Sequence, residues 1–122
     1  WISCSTNEGI TWGERVKVND DFGSKHQFFN WMTVDQTTGI IYVIFYDRRN
    51  YTDELTDVYL ASSTDGGRTF MNERISDKPF FPLAETFMGD YTNIIAINGM
   101  VRPIWTRLDS NNLSIYTAII DK

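Results

Sequence analysis

One cysteine, one histidine and three prolines are all that this chain of 122 residues has of those types. The lone Cys4 excludes an intrachain disulfide and a multi-thiolate zinc site, and the lone His26 excludes any centre that needs two histidines. Cys4 lies in an apolar stretch and reads as a small buried hydrophobe; His26 reads as a loop residue. No apolar run approaches the roughly 18 residues of a membrane span. A basic excess is missing too: 11 Lys and Arg stand against 16 Asp and Glu, a net charge of −5. That balance excludes the basic stripe of an ordinary nucleic-acid binder. Ala and Leu are sparse, and no capped window carries an apolar face at helical spacing, so almost no helix is predicted. What is present is a globular composition, 42% hydrophobic and 15% aromatic, with apolar mass enough for a packed core.

Short runs rich in Ile, Val, Tyr, Phe, Trp and Thr, broken by Gly, Asn and Asp about every ten residues, predict an all-β chain. The expected strands are Phe28 to Asp35, Ile40 to Asp47, Asp57 to Ser63, Thr69 to Ser76, Thr92 to Ile97, Met100 to Arg107 and Leu113 to Ile120. A shorter pair is expected at Trp1 to Cys4 and Thr11 to Val18. Ile40 through Tyr46 is continuously apolar rather than alternating, which predicts a strand covered on both faces. Pro103 takes a donor out of the sixth long run, which predicts a bulge or a locally unpaired edge there.

The chain repeats itself. Ser5-Thr6-Asn7-Glu8-Gly9-Ile10-Thr11-Trp12 matches Ser63-Thr64-Asp65-Gly66-Gly67-Arg68-Thr69-Phe70 at an offset of 58 residues. Gly39 to Phe45 aligns with Gly99 to Trp105, and Val58 to Ala61 aligns with Ile115 to Ala118. Such offsets mean one recurring unit of four strands. Four-stranded antiparallel sheets arrayed radially make a β-propeller, which also accounts for the doubly covered strand. A two-sheet sandwich would not need the repeat. The chain then divides into the last two strands of one blade (residues 1–19), a complete blade (20–77) and the first three strands of the next (78–122). It is expected to be about two blades of a longer polypeptide, begun and ended mid-blade, with the remaining blades as its partners.

The pattern Ser-x-Asp-x-Gly-x-Thr-aromatic, as Ser63, Asp65, Gly67, Thr69 and Phe70, resembles the Asp box, or BNR repeat, of the sialidase-like propellers. Ser5, Asn7, Gly9, Thr11 and Trp12 are a degenerate copy. The box is a structural turn: its carboxylate accepts backbone amides, its glycines take positive φ and its aromatic pins the returning strand. In the family the boxes lie far from the active site, so the resemblance sends function to the opposite loops. These are Asp20 to Gln27, Asp47 to Glu54, Lys78 to Glu85 and Arg107 to Asn111, the longest and most polar of the chain.

Sialidases of this fold hold a substrate carboxylate with three arginines and use a tyrosine nucleophile with an acidic partner. By that resemblance Arg48, Arg49 and Arg107, with Asp47, are candidate substrate-binding residues, since a guanidinium fork suits a carboxylate. Tyr91 and Asp90 are candidate catalytic residues, with Trp31 and Asn30 their near equivalents one blade earlier. Two structural alternatives stand beside these: Asp47 and Arg48 as an ion pair ordering the loop, and Gly89-Asp90-Tyr91 as an inter-blade contact. The arginine-isoleucine-proline opening of catalytic sialidases is missing; Val101-Arg102-Pro103-Ile104 is only superficially similar and lies in a strand. Asp53, Glu54 and Asp57 lack calcium-loop spacing, and neither a metal nor another cofactor is expected. The resemblance implies a secreted or cell-surface, bacterial protein that binds or hydrolyses glycans, as a retaining exo-sialidase if catalytic. The alternative is a non-catalytic binding or adhesion module of a larger protein.

Overall fold

The computed structural model describes residues 1–82 and 85–122, and among them there is no helix. The first sheet is a meander of β1 (Gln27–Val34), β2 (Ile41–Asp47), β3 (Asp57–Ser63) and β4 (Met71–Arg74), paired antiparallel in chain order. The second is built from β5 (Asn93–Ile97), β6 (Met100–Asp109), β7 (Asn112–Thr117) and β8 (Ile120–Asp121). β6 pairs with β5 on one side and with both β7 and β8 on the other. The fold is therefore all-β, two four-stranded antiparallel sheets, and among the described residues no helix is long and apolar enough to cross a membrane.

Both hairpins of the second sheet turn where two successive residues take positive φ: Asn98 and Gly99 at φ 52° and 77°, Ser110 and Asn111 at 47° and 70°. That pair of values suits the right-handed twist of the flanking strands, and Asn-Gly is the dipeptide that reaches it at least cost. β7 and β8 lie in one register, Ile104 opposite Thr117 and Val101 opposite Ile120. The interruption falls opposite Arg102 and Pro103, where the expected break in pairing appears. The third and fourth segments are thus one strand interrupted at a proline.

The main core lies between the sheets. Tyr42, Ile44, Tyr46, Val58 and Leu60 of the first pack with Ile94, Ala96, Val101, Trp105 and Leu108 of the second, and Phe80 joins them from the connection. On the far face of the first sheet, Val43, Phe45, Tyr59 and Ala61 pack under Val18, with Ile2, Ile41 and Phe70 at the margin. β2 is accordingly buried on both sides, as its unbroken apolar run requires. Full burial of each such side chain contributes about 1.5–3 kcal/mol.

The two boxes close in the same way. Gly67 N donates to Ser63 Oγ at 2.9 Å and Thr69 N to Asp65 Oδ1 at 3.0 Å; Gly9 N donates to Ser5 Oγ at 2.8 Å and Thr11 N to Asn7 Oδ1 at 2.9 Å. Phe70 is half-buried against the core, while Trp12 stays exposed.

Three local expectations are corrected. The predicted pair at Trp1 to Cys4 and Thr11 to Val18 is reduced to a single bridge, Ile2 to Val16, because little of this segment is covered: Ile10 and Trp12 face solvent. Cys4, in the same segment, is exposed rather than buried. β4 is shorter than Thr69 to Ser76, since Thr69 is drawn into the box and Ser76 turns to accept Val58 N and donate to Asp57.

Candidate functional site

Alternating strand direction sorts the connections onto two ends. The β1–β2, β3–β4 and β5–β6 turns share one end, and the box at Ser63 to Phe70 is there. The segment before β1, the β2–β3 loop, the β4–β5 connection and the β6–β7 turn share the other. Leu83 and Ala84, inside the candidate loop Lys78 to Glu85, lie outside the described residues.

At the loop end, Asp47 and Asp57 stand directly opposite each other on β2 and β3, both fully buried. Two buried like charges on facing positions each need their own donors. Asp47 accepts Arg49 N and Arg49 Nε, each at 2.7 Å, and Gln27 Nε2 at 3.2 Å. Asp57 accepts the Tyr51 hydroxyl at 2.9 Å, Asn50 Nδ2 at 3.3 Å and the Ser76 hydroxyl at 3.1 Å. The β2–β3 loop is folded over these two carboxylates.

The three candidate arginines therefore differ. Arg49 also binds Asp20 and donates Nη2 to Asn72 Oδ1 at 3.1 Å, and its guanidinium lies 4.2 Å from the Tyr59 ring centroid. Burial depresses its pKa, but Asp20 and Asp47 outweigh that and raise it. The ion pair that orders the loop is thus Asp47 with Arg49, not with Arg48. Arg107 is fully buried, with Nη1 on Asp77 and Nη2 donating to Asp109 Oδ1 at 3.1 Å. Its Nε lies 2.9 Å from Asp109 Oδ2, an ionic contact without hydrogen-bond alignment. It stacks over Tyr116 at 5.0 Å. The fork of Arg107 is closed by the chain's own carboxylates.

Arg48 is the open one. Its Nε donates to Thr56 Oγ1 at 3.2 Å, its guanidinium lies 5.1 Å from the Phe28 ring, and its nearest carboxylate, Glu54, is 4.0 Å from Nη1. The structure thus does not gather Arg48, Arg49 and Arg107 around one free carboxylate position.

Asp90 and Tyr91 are exposed just before β5, Tyr91 at 78%. Tyr91 lines a groove with Trp31, Thr92, Asn93, Thr106 and Ile115. A β-bulge lies between Phe28 and Trp31 of β1, and inside it Phe29 holds φ 50°, a left-handed value that a side chain disfavours. The buried Thr92 donates its hydroxyl to Phe29 O at 2.7 Å. The residue beside Tyr91 thus fixes the bulge that sets Trp31. Trp31 and Tyr91, 60 residues apart, meet in one groove.

Two features lie outside the site residues singled out from the sequence, although Lys25 and His26 belong to the loop Asp20 to Gln27 to which the sequence points. Asp35 is fully buried at the box end and caps backbone amides of both sheets. Lys25 and His26 share a cleft with Arg48. Among the described residues no three of His, Cys, Asp and Glu are grouped to share a metal ion. Compared with protein-family models, curated proteins and solved structures, the chain matches none.

Proposed function

We propose that this chain is a two-sheet stretch of an Asp-box β-propeller of the sialidase-like kind, and that its loop end recognises glycans. The blade reading draws support from the order of layers. Residues 1–19 lie on one face of the first sheet, and the second sheet lies on the other. The outer face of the second sheet presents Ile104 and Ile115, exposed, at the repeat positions of the buried Ile44 and Val58. A further blade would cover them as the second sheet covers the first, and would form the far wall of the groove at Trp31 and Tyr91, which Ile104 and Ile115 also line.

The observation that carries glycan recognition is the convergence of Trp31 and Tyr91 on one groove with Thr92, Asn93 and Thr106. Flat aromatic faces suit the apolar faces of a sugar ring, while amide and hydroxyl groups orient its hydroxyls. Recognition without hydrolysis fits the arginines better, since Arg49 and Arg107 are spent on internal carboxylates. A glycan array followed by titration tests this. Trp31→Ala and Tyr91→Ala are each expected to weaken binding by about three- to tenfold. An empty array, or titrations indifferent to both changes, removes the reading. Turnover of a fluorogenic sialoside that is lost in Tyr91→Phe replaces it with the hydrolytic one.

A further inference from the structure

The segment before β1 and the β2–β3 loop enclose an open cleft of about 540 Å³ lined by Lys25, His26, Gln27, Phe28 and Arg48. We infer that this cleft binds a tetrahedral oxyanion, a phosphate or sulfate group carried on a small molecule. It is independent of the groove at Trp31 and Tyr91.

The chain is acidic, and pairing of its cations is the rule: Arg49 and Arg107 each bind two carboxylates. In the cleft that rule lapses. Among the described residues Lys25 has no carboxylate partner; its ammonium donates to Thr52 O at 3.1 Å, which positions the charge without neutralising it. Arg48 has only Glu54, 4.0 Å away and itself 59% exposed. Asp53, the other acid of this loop, is exposed and accepts Leu55 N at 3.0 Å. With Glu54 it lines the adjoining pocket that Lys25, His26 and Arg48 share, without an ion pair to any of them shorter than that of Glu54 with Arg48.

The cations are also held in place before any ligand arrives. Arg48 is braced by Thr56 and Phe28, and its backbone N–H donates to His26 O at 3.2 Å. A cationic group fixed in advance loses little entropy on binding an anion. The geometry further selects the anion. Arg48 has spent Nε on Thr56, which closes its side-on fork to a planar carboxylate, while Nη1 and Nη2 stay free, since Glu54 at 4.0 Å is beyond hydrogen-bond reach. Single donors from an ammonium, an imidazole and a guanidinium instead suit an anion with acceptors pointing in several directions.

The test is titration with inorganic phosphate and inorganic sulfate at constant ionic strength, followed by the Arg48 Nε–H and His26 ring resonances. Saturable shifts are expected. Affinity should fall at least about threefold in Lys25→Gln and rise about two- to threefold in Glu54→Gln. Both side chains are exposed, so neither change threatens the fold. A sugar phosphate and a sugar sulfate run in parallel identify which ester is preferred. Acetate binding as tightly as phosphate or sulfate overturns the inference. So do shifts that never saturate, or saturable shifts that ignore both substitutions. A failure here leaves glycan binding at Trp31 and Tyr91 untouched, and the reverse holds.

Discussion

Asn7 and Asp65 close the same turn with opposite polarity. The Thr69 hydroxyl donates to Asp65 Oδ2 at 2.7 Å, whereas the Thr11 hydroxyl accepts from Asn7 Nδ2 at 2.8 Å. A hydroxyl can do either, so the threonine tolerates the exchange of carboxylate for amide. Asp65 is held well below the ordinary carboxylate range by the Thr69 hydroxyl first, then by Thr69 N and Ser63. Its stabilisation is therefore present above the ordinary carboxylate pKa and lost as pH falls, while the Asn7 turn does not titrate. The boxes differ also in the residue that follows, Glu8 against Gly66. Gly66 and Gly67 hold φ 74° and 87°; their counterparts Glu8 and Gly9 hold 61° and 84°. A left-handed residue with a side chain costs about 1–2 kcal/mol, of which the greater unfolded freedom of glycine returns about 0.5–1. Glu8→Gly should thus stabilise the protein by about 0.5 kcal/mol. Urea unfolding measures it, and a lower midpoint at unchanged slope would refute the strain at Glu8.

The long strands answer most closely to their sequences. β2 was readable because double burial leaves an unbroken apolar run, and the boxes because their hydrogen bonds span only two to four residues. The candidate site was less readable for the converse reason. Arg107 meets Asp77, 30 residues away, and Arg49 meets Asp20, 29 away; no local pattern announces either. Side chains that seemed available to a ligand were thus committed to the fold. Pro103 sits between the two cases: its effect was legible, its side of the strand was not. Pro103 O accepts the Thr117 hydroxyl at 2.7 Å, so it faces β7, and the nitrogen of a strand residue faces the same way. The missing donor therefore falls on the β7–β8 side, while β5 stays paired through Ile94. Pro103→Val restores the donor with a side chain that suits a strand. Its amide should become protected from hydrogen exchange and join β7 to β8, with a gain of up to about 1 kcal/mol. An unprotected amide at position 103 would show that something other than the proline breaks the ladder.

For the whole molecule, the question is what aligns the two sheets, since an apolar core resists separation but is non-directional. Among the described residues three hydrogen-bonded ties cross it, beside a partly exposed ion pair of Lys122 with Glu73 at its margin. The Tyr46 hydroxyl donates to Thr106 O at 2.5 Å, the Thr92 hydroxyl to Phe29 O at 2.7 Å, and Asp35 accepts Gly99 N at 2.8 Å and Asn98 N at 3.3 Å. Asp35 also accepts Thr37 N at 2.9 Å and Thr38 N at 3.3 Å of its own turn, so one buried carboxylate fixes two hairpins against each other. The Gly99 amide, opposed by burial and aided by Thr37 and Thr38, brings its pKa from 3.8 to about 2. Because folding lowers this pKa, the stabilisation is complete above about pH 4 and disappears as pH falls through 2. Asp35→Asn keeps the shape but presents an N–H₂ where an acceptor oxygen stood. At neutral pH the Gly99 and Asn98 amides should lose protection from exchange by on the order of tenfold, with the centres of β2 and β3 little changed. The fall of stability between pH 4 and 2 should become shallower without vanishing, since Asp65, Asp77 and Asp109 are also held below their ordinary value. Unchanged protection at Gly99 would mean that Asp35 serves only its own turn and that packing with the Tyr46 and Thr92 ties sets the sheets in register.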